Sequence, residues 1–115
     1  MMIPKRPKPV TSKAHVSFLH SLICCICGNN AVEQHHILRA PSRHGTKRAG
    51  DQHSLPLCGP HHRELHLGDN TENGFAERHN VSLLEIADFL YQNTGDAEIC
   101  EAYLKGVSCV ENPPP

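Results

Sequence analysis

Residues 54–68 read SLPLCGPHHRELHLG, and 30 residues upstream residues 24–28 read CCICG. The downstream stretch is an extended SLPL piece followed by Gly59-Pro60, and a proline at the first helical position opens a helix that HHRELHLG carries to a stop at Gly68. Cys24 and Cys27 form a C-x2-C pair on a turn, and Cys58 and His61 form a C-x2-H pair at the start of that helix. Four thiolate or imidazole ligands on two x2 pairs are what a closed tetrahedral zinc site requires. Buried free cysteines are the plain alternative, since cysteine is a common core residue. Cys25 in place of Cys24 would leave one residue before Cys27, a poorer geometry. Cys100 and Cys109 fall outside this cluster and are read as unmetallated thiols.

The rest of the chain is read outward from there. At 115 residues and 38% hydrophobic, with 4% aromatics and no Trp, there is room for one small domain whose apolar core is thin. Domains of this size commonly need a staple, and the ten histidines and six cysteines supply candidates. Upstream, Ser12 is a plausible N-cap for a helix with Val16, Leu19 and Ile23 on one stripe and Phe18 and Leu22 beside it. Residues 31–38 supply an extended piece carrying His35 and His36. The stretch RAPSRHGTKRAGDQ, residues 39–52, reads as a loop, and 54–57 as a second extended piece. Residues 69–80 are polar. Ser82-Leu-Leu-Glu85 is a capping box opening a helix to about Asn93, stopped by Gly95, with Leu83, Ile86, Ala87 and Leu90 on its inner face. A short helix over 96–105 and a tail over 108–115 complete the chain. The domain order is thus a basic, Pro-rich flexible arm (1–13), a core (14–68), a helical extension (69–107) and the tail.

Of the nine histidines outside the zinc pairs, four stand at telling positions. His62 and His66 are four apart on the predicted helix and share a face, the H-x3-H spacing of a metal site. His35 and His36 are adjacent on a strand, where successive side chains point to opposite faces, so the two do different jobs unless the strand is distorted. Residues 1–50 carry eight Lys or Arg (Lys5, Arg6, Lys8, Lys13, Arg39, Arg43, Lys47 and Arg48) against Glu33 alone, a net +7, while residues 51–115 carry a net −8. Clustered cations favour a polyanion such as DNA, through release of counterions from its phosphates. No recognition helix rich in Asn, Gln and Arg stands out, so weak sequence specificity is expected. The sequence has no apolar run long enough for a membrane span and no secretory h-region near residue 1, and a cytoplasmic protein is expected.

Taken together, LICCICG, QHHI, the GTKRAGD loop and SLPLCGPHHRELH resemble the HNH, or ββα-metal, endonucleases, and within them the small phage recombination-enhancement nucleases. The resemblance runs from about Arg6 to Gly68. It implies an α+β fold: a two-stranded ribbon and a helix gripping a divalent metal, in a zinc-stapled, treble-clef-like core flanked by an N-terminal helix and C-terminal helices. Carried over by position, it implies that His36 is the general base, that His35 and His62 are metal ligands, and that His53 stands where the family has Asn to orient the loop. His66 matches a ligand found in the nuclease colicins. The site residues so implied are His35, His36, His53 and His62 for catalysis, with His35, His62 and His66 on the catalytic metal. The resemblance further implies DNA phosphodiester hydrolysis, a structural Zn²⁺, and Mg²⁺ or Mn²⁺ as the working metal, with Zn²⁺ or Ni²⁺ able to occupy the site. It also implies a phage or prophage origin and a role in recombination or DNA processing, beside a recombinase or another phage protein. A non-catalytic zinc-stabilised nucleic-acid-binding module and a zinc-ribbon interaction protein are the alternatives.

Overall fold

The computed structural model describes residues 8–30, 33–44, 47–67 and 71–111, with side chains through Val107. Lys5, Arg6, the helix stop at Gly68 and the final prolines lie outside the described residues.

Ser12, in extended conformation, accepts a hydrogen bond from the His15 amide and so caps α1 (Lys13–His20). The helix ends before Ile23, which lies instead in the Cys turn and bridges to Asn30. His15, Leu19 and Leu22 are buried and Val16 is half-buried. Cys24, Cys25 and Ile26 follow in a fully buried turn closed by Gly28 at a φ of 77°, a conformation that glycine adopts without strain.

β1 (Glu33–His36) pairs antiparallel with β2 (Ser54–Leu57), with Glu33 opposite Leu57 and His36 opposite Ser54. β2 is buried along its whole length, and its one side-chain hydroxyl, Ser54, is satisfied by donating to the Asp51 carbonyl. Residues 37–50 and a 3₁₀ turn (Asp51–His53) connect the strands. This connection is less exposed than a polar loop suggests, since Ala40, Ser42, Ala49, Asp51 and Gln52 are buried. α2 (Gly59–Leu67) starts at Gly59-Pro60 as the sequence predicts.

Downstream of α2, two expectations need correction. The polar stretch after residue 69 contains a helix, α3 (Thr71–His79), anchored by fully buried Phe75 and by Glu72. The final helix, α5 (Ala97–Glu111), is longer than 96–105 and takes in the first four residues of the expected tail. Between them, α4 (Leu83–Gln92) is capped by Ser82, which accepts from the Glu85 amide. Its Leu83, Ile86, Ala87 and Leu90 are buried against the domain as expected. Burying each of the three larger side chains contributes about 1.5–3 kcal/mol. Phe89 and Tyr103 stack at 3.9 Å between α4 and α5.

Residues 8–12 are not a free arm. Gln52 accepts from the Val10 amide and donates to the Lys8 carbonyl, both at 2.8 Å, and the Asp51 amide donates to the Val10 carbonyl at 2.7 Å. Gly50 makes this approach possible. A Cβ there would stand 2.3 Å from the Val10 nitrogen and 2.6 Å from the Pro9 Cα. The described chain is therefore a small α+β domain of five α-helices and one two-stranded sheet, with the core between the ribbon, α1 and α4. Among the described residues no helix is long and apolar enough to cross a membrane.

Candidate metal centre

The Cys turn and the start of α2 bring Cys24, Cys27, Cys58 and His61 together, with ligand atoms within 4.8 Å of one another. Cys27 Sγ and Cys58 Sγ are 3.7 Å apart, and His61 Nδ1 lies 3.8 Å from Cys24 Sγ and 3.2 Å from Cys58 Sγ. Zn–S bonds of about 2.3 Å and Zn–N bonds of about 2.0–2.1 Å set tetrahedral edges of about 3.5–3.8 Å, which two of these separations match and the third undershoots, so the donor set suits zinc in chemistry and comes close to it in spacing. The Ile26 amide donates to Cys24 Sγ at 3.4 Å, a contact that favours a thiolate. Burial nevertheless pushes the Cys24 thiol up to about 12, and a cation beside it would favour the thiolate. This cluster could hold a metal such as zinc.

A second cluster forms across the ribbon and α2. His35 Nδ1 is 3.3 Å from His62 Nε2, which is 3.1 Å from His66 Nε2. Zinc–nitrogen bonds of about 2.0–2.1 Å give tetrahedral edges of about 3.3 Å, so the spacing suits a shared metal ion. The other nitrogens of two of these rings are already committed. His35 donates from Nε2 to Glu72 at 2.6 Å, and His62 donates from Nδ1 to Glu33 at 2.6 Å. This network assigns the tautomers and turns the lone pairs of His35 Nδ1 and His62 Nε2 toward the same point. Two lone pairs at that separation repel unless a cation lies between them. Burial, and then the neighbouring His35 and His62, lower the His66 pKa from its ordinary value, against an opposing effect of Glu72.

Glu72 is buried, and besides His35 it accepts from the Leu38 and Arg39 amides. Burial raises its pKa, but these bonds outweigh that effect and hold the carboxyl below its ordinary range. α3 thus reaches back to fix both His35 and the start of the connection between the strands.

The opposite face of β1 carries different chemistry. Gln34 and His36 face the 3₁₀ turn, where His36 Nε2 lies 2.8 Å from Asp51 Oδ1. As alternation along the strand requires, His36 is turned away from the face that holds His35. Thr11, Lys13, Gln34, His36, Arg48 and Asp51 help line a cleft of about 420 Å³ on this side. His53 Nδ1 bonds Ser42 Oγ at 2.6 Å, and Ser42 also accepts from the Gly50 amide, so this pair pins the connection between the strands. The connection and β1 are further tied by the Ile37 amide donating to the His53 carbonyl.

The basic residues divide. Lys8, Lys13, Arg39, Lys47 and Arg48 are exposed, whereas the Arg43 guanidinium bonds the Leu38 and Lys47 carbonyls and holds the loop. Sequence reasoning missed Glu33, Asp51 and Glu72. Glu33 alone carries a signal, as the one acid in residues 1–50; Asp51 and Glu72 are two of the many acids of the second half, and nothing local in the sequence sets them apart.

Fold and site define a small α+β domain with two convergent Cys/His ligand clusters that share α2. The chain belongs to the family described as "Protein of unknown function (DUF968)", which matches residues 1–94. It is similar to "Uncharacterized protein YdfU" of Escherichia coli (strain K12), at 39% identity over 67 residues that make up 57% of this chain and 19% of that protein. The match thus spans about a fifth of the length of that relative. No solved structure matches the chain.

Proposed function

We propose that this domain is a metal-dependent endonuclease of the HNH type that hydrolyses DNA phosphodiester bonds, with a ββα-metal core formed by β1, β2 and α2. The observation that carries the reading is the set of three imidazole nitrogens of His35, His62 and His66, two of them aimed by carboxylates at one point on the ribbon-and-helix frame. The structural zinc of this proposal is held by Cys24, Cys27, Cys58 and His61. The working metal is Mg²⁺ or Mn²⁺, and when bound it stabilises charge on the phosphate and on the leaving 3′ oxygen.

The chain's own groups do the rest. His36 accepts a proton from water as the new O–P bond forms, and the P–O3′ bond breaks on the far side, its oxygen taking a proton from solvent. Lys13 and Arg48, which line the cleft beside His36, position the phosphate backbone without reading its bases. Glu33 and Glu72 keep the ligand imidazoles in the tautomer that binds metal.

One observation favours a second reading, a non-catalytic zinc-stabilised nucleic-acid-binding module: His36 and the His35 cluster occupy opposite faces of β1. A cleavage assay decides. Plasmid and single-stranded DNA are incubated with Mg²⁺, Mn²⁺ or Zn²⁺ and either the zinc-loaded wild type or His36→Ala. The nuclease reading expects the wild type to cut, and the folded variant to bind DNA but cut about 100–10,000-fold more slowly. Salt-dependent binding by both proteins without cleavage under any metal supports the module instead.

A further inference from the structure

We infer that Asp51 is the positioning residue for His36, fixing its ring so that Nε2 carries the proton and Nδ1 is the free base. The inference rests on the nuclease reading for its consequence in rate, though not for its structural content.

Asp51 is buried on the 3₁₀ turn, and both of its carboxylate oxygens are engaged by groups that the fold holds in place. Oδ2 accepts the Ser12 amide at 2.8 Å. Oδ1 meets His36 Nε2 at 2.8 Å and the Gln34 amide nitrogen at 3.4 Å. Gln34 is fixed in turn, since it donates to Ser54 Oγ at 2.9 Å, and Ser54 donates to the Asp51 carbonyl at 2.6 Å. An ionised carboxylate only accepts hydrogen bonds, so the ring nitrogen facing it must be the donor. The neutral ring then has its lone pair on Nδ1. Burial raises the Asp51 pKa, but the bonds from Ser12, His36 and Gln34 more than offset it, and the side chain stays a carboxylate.

The same carboxylate is also the anchor of the N-terminal strap. Ser12 caps α1 and donates its amide to Oδ2, the Asp51 amide holds the Val10 carbonyl, and Gln52 clasps Lys8 and Val10. Lys8 and Lys13, two cations placed to meet a polyanion, thus sit on a segment tied to the residue that aims His36. The clamp that Ser42 and His53 make elsewhere on the connection leaves this arrangement to Asp51.

The test compares the zinc-loaded wild type with Asp51→Asn. An asparagine offers one acceptor oxygen where two opposed donors need one each, and it presents an N–H to whichever is left. Long-range ¹H–¹⁵N spectra of ¹⁵N-histidine-labelled protein report each ring's tautomer, and the His36 signals are identified by their loss in His36→Gln. The expected result is a neutral His36 protonated at Nε2 in the wild type, and a mixed or Nδ1-protonated ring in Asp51→Asn. In DNA cleavage the variant is expected to lose about 100–10,000-fold in kcat, as when a base loses its orienting carboxylate, with KM within about threefold. An Nδ1-protonated His36 in the wild type overturns the inference, as does an Asn variant that keeps the wild-type tautomer or that changes KM alone. If the variant does not fold, the wild-type spectrum decides. If the wild type cuts no DNA, the nuclease reading fails while the tautomer comparison still decides the role of Asp51.

Discussion

Replacing Glu72 with Gln removes a charge and one of two acceptor oxygens while preserving shape. Glu72 is 4% exposed, and its carboxylate accepts from His35 Nε2, the Leu38 amide and the Arg39 amide. Hydrogen bonds to a charged group contribute about 1.5–3 kcal/mol each against about 0.5–1.5 for neutral ones, so converting three of them and stranding at least one donor costs about 2–4 kcal/mol. The cost to the second cluster is separate. His35 loses the acceptor that keeps its proton on Nε2, and loss of such a carboxylate lowers metal affinity about 10–100-fold. Two measurements check this on the zinc-loaded protein: denaturant unfolding of both forms, and calorimetric titration with Mn²⁺ or Ni²⁺. A Gln variant that binds either ion as tightly as the wild type and unfolds at the same denaturant concentration refutes the reasoning, because Glu72 would then be neither an aiming group nor a buried anchor.

Two further outcomes follow from the structure. Removing the first cluster with Cys27→Ser should abolish tight binding of one zinc per chain and unfold the domain in far-UV circular dichroism, since structural zinc contributes about 10–16 kcal/mol in small peptides and whole domains hold only about 5–15; a folded, zinc-free variant counts against it. His15 is buried, donates from Nδ1 to Thr94 Oγ1 at 2.8 Å, and has no partner at Nε2. Burial depresses its pKa despite the opposing field of Asp51. The unfolded chain therefore takes up this proton first as pH falls below about 6.5, and folding stability should decline with acidification from there. Urea melts across pH 5–7 should show a shallower decline for His15→Gln, which keeps a donor for Thr94, and parallel slopes would exclude His15 as the source.

Much of the frame was legible because it rests on local signals. Gly59-Pro60 opened α2, Ser82 and Glu85 opened α4, and the x2 pairs and the four-residue spacing of His62 and His66 are properties of one turn or one helix. The parts that were not legible depend on long-range packing. Glu72 meets His35 across 37 residues and Asp51 meets His36 across 15, and no periodicity marks an acid as the partner of a particular imidazole. α3 escaped notice because TENGFAERH has Phe75 as its one large apolar residue, a glycine in its interior and Thr71 at a positive φ of 35° in its first turn. The strap over residues 8–12 looked like a linker by composition, and what holds it is a close backbone approach that only the lack of a side chain at Gly50 permits.

His61 and His62 are consecutive on α2, one turned to the sulfur cluster and the other to the imidazole cluster. Neighbouring residues on a helix differ by about 100° and 1.5 Å, so a single peptide unit sets the distance and bearing between the two centres. That turn works as a common gauge block for both. An ion held by the Cys cluster would also set where one held by the imidazoles would lie, and a slip of the helix by one residue would misplace the two ligand sets together.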